Sequence, residues 1–74
     1  MGKHATVEEY AKDVVKQARD GWVNGTATVA GKSVGIKAHG KWIQRITVNG
    51  GPYGSGEFRT QKEMREFIVN FIGE

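Results

Sequence analysis

The residues best suited to chemistry in this sequence are cations at alternating positions of one segment. Lys41, Ile43 and Arg45 are spaced two apart, so in an extended strand their side chains share one face of a sheet. Lys37 lies on the preceding segment, and no Asp or Glu occurs between residues 21 and 56. An apolar side chain ringed by cations predicts a surface that binds phosphates or a carboxylate-rich protein. The alternative explanation is that sheets disfavour Asp and Glu in any case.

The most glycine-dense segment, Gly50–Gly56, places Tyr53 between two pairs of glycines. A phosphate-binding loop needs a helix directly after it to supply N–H donors, whereas residues 57–59 are patterned as a strand. We therefore interpret the segment as an adaptable loop that presents Tyr53 as an aromatic anchor. An ordinary hairpin connection, with the ring folded back on the sheet, is the alternative. The candidate partner-binding residues are Lys37, Lys41, Ile43, Arg45 and Tyr53.

Residues that could support catalysis or metal binding are sparse. His4 and His39 are the only histidines, and the chain has no Cys. Neither histidine has a partner at the spacing of metal ligands or of an activated nucleophile. Ser33 and Ser55 are the only serines, and neither lies in a nucleophile elbow. We expect a protein that is not an enzyme and that has no catalytic residues, no metal site and no cofactor.

Two four-residue signals mark where helices should begin. Thr6–Glu9 and Thr60–Glu63 both read Thr-x-x-Glu, the capping box in which side chains satisfy free backbone N–H groups. An apolar stripe at helical spacing follows each box, which predicts helices over about residues 6–20 and 61–72. The second stripe is rich in Phe and Ile, so we expect the second helix to be the more deeply buried. The stripes consist of Val7, Tyr10, Ala11, Val14, Val15 and Ala18, and of Met64, Phe67, Ile68, Phe71 and Ile72.

The segment between the helices is patterned as four short antiparallel strands. We place them at about residues 23–29, 32–38, 41–48 and 53–59. A two-residue turn at Ala30-Gly31 pairs Ala27 with Val34. For the next turn we choose a three-residue loop over residues 38–40, because it puts Trp42, Ile46 and Val48 on the apolar face, which a His39-Gly40 turn would split. The last strand contains Gly54 and Gly56 and is expected at an edge.

Two amphipathic helices and a sheet with one apolar face predict an α+β fold. The expected architecture is a two-layer sandwich in the order αββββα, a four-stranded antiparallel sheet with both helices on one face. Residues 1–74 are expected to form a single domain. The other sheet face is then open and carries the candidate residues. The absence of Cys, and of any apolar run near 18 residues, predicts a cytoplasmic protein without a membrane partner.

In format the chain resembles the small inhibitor proteins of bacteriophages and mobile elements, anti-CRISPR proteins in particular. The resemblance covers the whole chain and rests on its size, the αββββα order, the glycine-rich loop Gly50–Gly56, the lack of Cys and the open charged sheet. It implies a non-enzymatic inhibitor that occludes a host protein or nucleoprotein complex such as a CRISPR effector. Many of those inhibitors are acidic mimics of nucleic acid. This chain has a net charge of +3, which favours docking on an acidic protein patch or on exposed nucleic acid.

The alternative function is a nucleic-acid-binding module that uses the same basic sheet face. Sheets that bind RNA usually add aromatic side chains on which bases stack. The chosen strand register places Trp22 and Tyr53 at the edges of the sheet and turns Trp42 inward. The inhibitor is therefore the first expectation and the nucleic-acid module the second.

Overall fold

A computed structural model describes residues 3–4 and 6–73 of the chain. It contains a helix, four antiparallel strands in one open sheet and a second helix, which confirms the predicted α+β fold in the order αββββα. Both helices pack on the same sheet face through one cluster of buried apolar side chains. The elements are β1 (Lys3–His4), α1 (Val7–Asp20), β2 (Trp22–Val29), β3 (Lys32–His39), β4 (Trp42–Val48), β5 (Gly54–Glu57) and α2 (Gln61–Gly73).

The two-residue strand β1 is an addition that the sequence analysis does not predict. It pairs in parallel with the end of β2, with Lys3 opposite Thr28 and His4 opposite Val29. The sheet order is therefore β1-β2-β3-β4-β5. A strand of this length has no periodicity of its own, so alternation of apolar residues cannot reveal it.

Helix α1 begins where the first capping box predicts. The Thr6 hydroxyl accepts a hydrogen bond from the Glu9 N–H at 3.1 Å, which satisfies one of the N–H groups left free at a helix start. The buried side of the helix consists of Tyr10, Ala11, Val14, Val15 and Ala18. Burial, together with the nearby charge of Asp13, raises the pKa of Tyr10 to about 12.

Helix α2 begins at the second capping box and is anchored at both ends. The Thr60 hydroxyl accepts from the Glu63 N–H at 3.1 Å, and the Glu63 carboxylate accepts from the Arg59 N–H at 3.2 Å. At the other end, the Lys32 ammonium donates to the Ile72 carbonyl at 2.8 Å. The last carbonyls of a helix lack partners within it, so this cation ties the start of β3 to the end of α2.

The expectation that the second helix is the more deeply buried is wrong. Helix α1 has five buried residues, whereas α2 has three, namely Met64, Ile68 and Ile72. Phe67 and Phe71 pack against the core but are only partly buried. They lie over the short strand β5, where the sheet ends, and too little sheet remains there to cover both rings.

The β2–β3 hairpin follows the predicted register. Ala30 and Gly31 form its two-residue turn with φ of 50° and 83°, and positive values at both positions suit the twist of a tight hairpin. Ala27 lies opposite Val34, as predicted. The inner face of these strands is therefore the apolar face that the helices cover.

The three-residue loop predicted between β3 and β4 is wrong. Gly40 and Lys41 form a two-residue turn instead, because His39 lies opposite Trp42. Gly40 has a φ of 63°, which glycine adopts without strain, and its N–H donates to the Ala18 carbonyl at 2.8 Å. This turn moves Trp42 from its predicted core position to the open face, where its side chain is 37% exposed.

A β-bulge in β4 shifts the pairing with β3 by one residue, so that the apolar side chains on both sides of the bulge face the core. Ile43 lies opposite Ala38 and Arg45 lies opposite Lys37, so Gln44 is an extra residue on β4. A bulge of this kind lets two consecutive side chains share one face, and both Gln44 and Arg45 are exposed. Ile43 is consequently buried, with 0% of its surface exposed, and its predicted position on the open face is wrong.

The expectation that the glycine-containing strand is an edge strand is confirmed, since β5 is the last strand of the sheet. It is shorter than the predicted range 53–59. A Cβ at Gly54 would lie 2.8 Å from the Phe71 ring, and one at Gly56 would lie 3.1 Å from the Phe58 ring. The two glycines therefore leave the space on the inner face of β5 that the aromatic rings occupy.

Candidate functional site

Three ring side chains form a cluster on the open face at one end of the sheet. Trp22, His39 and Trp42 lie opposite one another on β2, β3 and β4, and we call them the aromatic cluster. The Trp22 ring centroid lies 5.0 Å from that of His39 and 5.7 Å from that of Trp42, the latter in an edge-to-face contact. Trp22 is 54% exposed, so the cluster presents ring surface to solvent.

Two cations lie next to the aromatic cluster. Lys37 and Arg45 are directly opposite each other on β3 and β4, and the Lys37 ammonium lies 5.6 Å from the Trp22 ring centroid. Like charges directly opposite one another destabilise a sheet, while a cation over a tryptophan ring is stabilised. A bound anion between Lys37 and Arg45 would remove the repulsion and keep the ring contact.

Tyr53 completes the open face on the other side of the two cations. Its side chain is 67% exposed. With Lys37, Gln44 and Arg45 it lines a depression of about 370 Å³. We call the six residues at these positions the open-face site, which consists of Trp22, Lys37, His39, Trp42, Arg45 and Tyr53.

A second depression, of about 300 Å³, continues from Tyr53 across the middle of the sheet. Gly35 lies at its centre, flanked by Thr26 and Thr47. A Cβ at Gly35 would lie 3.2 Å from the Thr47 hydroxyl and 3.3 Å from the Thr26 methyl group. The missing side chain leaves a polar depression in which a flat ligand could approach the backbone.

The charge on this face is uneven. Glu57 on β5 lies opposite Trp42, and residues directly opposite in an antiparallel pair point to the same side. A carboxylate therefore borders the aromatic cluster at the β5 edge. An anionic ligand would be repelled there and attracted toward Lys37 and Arg45.

The structure brings together three of the five predicted site residues. Lys37, Arg45 and Tyr53 line one depression. Lys41 is exposed but lies in the β3–β4 turn and lines neither depression. Ile43 is completely buried, so it cannot contact a partner, and its place in the predicted site is corrected.

Sequence reasoning missed the aromatic cluster as a unit. It left Trp22 as an isolated edge residue, turned Trp42 inward and gave His39 no role. The missed signal is in β4, which reads Trp-Ile-Gln-Arg-Ile-Thr-Val from Trp42 to Val48. Removing one of the two adjacent polar residues restores strict alternation along the whole strand, which is the mark of a single-residue bulge.

The fold and the site define a small α+β domain with an aromatic and basic open sheet face. Among the side chains described, those of residues 6–73, no group of His, Cys, Asp or Glu could hold a metal ion. No helix in that part of the chain is long and apolar enough to cross a membrane. No protein-family model, curated protein or solved structure matches the chain.

Proposed function

We propose that the protein binds single-stranded nucleic acid on its open sheet face. The observation that carries the proposal is that the exposed aromatic side chains and two cations share one face. The large hydrophobic side chains that stand exposed in the described part of the chain are Trp22, Trp42 and Tyr53, and all three lie on this face beside Lys37 and Arg45. Bases stack on exposed rings, and cations between the rings bind phosphates.

A single strand fits this face better than a duplex does. The bases of a duplex are stacked on each other, so their faces are not available to protein side chains, whereas a single strand can turn its bases onto an aromatic surface. Trp22 and Trp42 offer stacking surface at one end of the site and Tyr53 offers it beyond the two cations. We expect two or three bases to be held in this way, with phosphates between them near Lys37 and Arg45.

Polar groups in the middle of the sheet supply contacts for base edges or for the sugar. Asn24, Thr26 and Thr47 line the depression around Gly35, and their amide and hydroxyl groups both donate and accept hydrogen bonds. A 2′-hydroxyl is the group that distinguishes RNA from DNA at such a site. Parallel titrations with RNA and DNA of the same base sequence therefore identify which strand the site prefers.

Tryptophan fluorescence gives a direct test, because both tryptophans of the chain lie in the open-face site. Titration with a 12-nucleotide pyrimidine RNA or DNA should quench the emission as bases stack on the rings. With two phosphates bound, the slope of log affinity against log salt should be about −1.4. An unquenched spectrum and no saturable binding to either strand at low salt would refute the proposal.

Variants of Trp22 sharpen the test. Trp22→Ala should weaken binding by about 1–3 kcal/mol, which is roughly 5- to 150-fold. Trp22→Phe is the matched control, because it keeps an aromatic ring and should retain most of the affinity. Fluorescence anisotropy of a labelled oligonucleotide measures both, since it does not depend on the tryptophan that is removed.

The inhibitor function that the anti-CRISPR resemblance implies, and the cytoplasmic location, stay predictions. An inhibitor would use the same face, with Arg45 and Tyr53 as anchors on a protein surface. Affinity capture from a lysate, repeated after nuclease treatment, separates the two functions. Loss of the captured material on nuclease treatment supports nucleic-acid binding, whereas a protein complex that survives the treatment and is lost with Arg45→Glu supports the inhibitor.

A further inference from the structure

A cluster of positive charge lies on the helix layer, on the side of the molecule away from the open-face site. A groove of about 370 Å³ runs between α1 and α2, and we call it the helix groove. Five of the eleven Lys and Arg residues of the chain line it, and the described lining contains no carboxylate. Its lining consists of Lys12, Val15, Lys16, Arg19, Gln61, Lys62 and Arg65.

The helices run in opposite directions along this groove. Lys12, Lys16 and Arg19 follow at i, i+4 and i+7 on α1, which places them on one side of that helix. Lys62 and Arg65 lie three apart in the first two turns of α2. The groove is therefore bordered by two rows of cations, with the buried Val15 at its floor.

The cations within each row repel one another. Like charges three or four residues apart on a helix each cost a few tenths of a kcal/mol, and both rows contain such pairs, while carboxylates at the same spacing from Lys16 and Lys62 offset part of that cost. The whole chain has a net charge of only +3, so five cations in one groove are a local concentration rather than a general excess. Such a focused positive potential attracts a polyanion.

The cationic part of the groove has a defined end. Beyond Lys12 and Arg65 the space between the helices continues, with a volume of about 530 Å³, but there it is bordered by Glu8 and Glu66 as well. These carboxylates balance the charge at that end. An anion is therefore favoured over the helix groove, from Lys12 to Arg19, and not over the space beyond it.

We infer that the helix groove is a second nucleic-acid site, which binds the phosphate backbone of a duplex. From Lys12 to Arg19 the helix rises about 10 Å, a length over which each strand of a duplex presents about three phosphates. The number of cations in the two rows is thus comparable to the number of phosphates that a duplex presents over the same length. The lining contains no aromatic ring, so it offers nothing on which unpaired bases could stack.

The test uses the full chain and a labelled 20-base-pair DNA duplex, with an RNA duplex of the same sequence alongside. Lys16→Gln with Arg65→Gln removes one cation from each row. The slope of log affinity against log salt should become less negative by about 1.8, and affinity at 0.1 M salt should fall about 60-fold. Circular dichroism should show a thermal midpoint close to that of the unchanged protein, because neither Lys16 nor Arg65 is buried.

The matched control is Lys37→Gln with Arg45→Gln, which removes the same charge from the open face. It should leave duplex binding nearly unchanged and weaken single-strand binding. The groove variant should weaken duplex binding and leave single-strand binding nearly unchanged. Duplex binding should also leave the emission of Trp22 and Trp42 unquenched, since both tryptophans lie on the other face. The proposals for the two sites can therefore be refuted independently of each other.

Three results would overturn the inference. The first is an unchanged salt slope in the groove variant, and the second is quenching of both tryptophans by the duplex. The third is competition by poly-glutamate of equal total charge at the same concentration as the duplex, which would make the groove a site for an acidic protein. Failure of the unchanged protein to bind a single strand, with duplex binding intact, would refute only the function proposed for the sheet.

Discussion

Trp42 and Ile43 are neighbours in the sequence with opposite environments, and replacing each by alanine tests the register of β4. Ile43 is 0% exposed and Trp42 is 37% exposed. Ile43→Ala leaves a cavity between the sheet and the helices, and it should lower the free energy of unfolding by about 2–5 kcal/mol. Trp42→Ala removes an edge-to-face contact with Trp22 that is worth about 0.5–1.5 kcal/mol.

The expected destabilisations by Ile43→Ala and Trp42→Ala differ enough to be distinguished in a domain of this size. A 74-residue domain has a total stability of about 4–11 kcal/mol. One kcal/mol shifts the thermal midpoint of such a domain by about 4–8 °C, so Ile43→Ala should lower it by at least about 8 °C. Ile43→Val is the graded control, with an expected cost of about 0.5–1.5 kcal/mol.

Urea denaturation followed by far-ultraviolet circular dichroism is the suitable assay, because it does not depend on tryptophan emission. The two alanine variants should also differ in function. Trp42→Ala should weaken single-strand binding, whereas Ile43→Ala should bind normally at temperatures where it is folded. If Trp42→Ala proves the more destabilising of the two, strict alternation holds in β4, Ile43 faces solvent and the aromatic cluster does not exist.

Three further predictions concern the framework. Thr6→Ala and Thr60→Ala should each destabilise by about 0.5–2 kcal/mol in urea denaturation; unchanged midpoints for both would mean that the observed caps contribute nothing. Gly54→Ala brings a methyl group to 2.8 Å from the Phe71 ring and should cost about 1–3 kcal/mol, while an equal or higher midpoint would show that the ring moves freely. Because burial raises the pKa of Tyr10 to about 12, the unfolded chain releases this proton first above pH 10, so stability should fall by up to about 1.4 kcal/mol per pH unit between pH 10 and 12. The Tyr10→Phe variant should lack that part of the alkaline loss, and identical pH profiles would contradict the burial argument.

The helices and the first hairpin could be predicted from the sequence because their signals are local. Each Thr-x-x-Glu box stands directly before an apolar stripe, and the hydrogen bonds accepted by Thr6 and Thr60 are those that the box implies. The Ala30-Gly31 turn separates two runs whose apolar positions match in only one register. In each case a few neighbouring residues are enough to determine the local structure.

The site was harder to predict because it depends on one inserted residue. Gln44 adds a position to β4 without disturbing the pairing on either side, so an argument from strict alternation must misplace part of the strand. Keeping Ile46 in the core forced Trp42 inward and Ile43 outward. The helix groove was hidden for another reason: its cations come from two helices far apart in sequence, and each helix alone is mixed in charge.

The lengths of the strands bear on how this protein behaves at high concentration. The three long strands, β2, β3 and β4, have eight, eight and seven residues, while the outer strands β1 and β5 have two and four. Strand β1 covers only Thr28 and Val29 of β2. An edge strand exposes unpaired N–H and C=O groups that can pair with another chain, and very short edges limit this pairing. In the described part of the chain, no strand pairs with residues 22–27 of β2 on the side of β1, so pairing between copies at high concentration is expected along this edge of β2 rather than along β5.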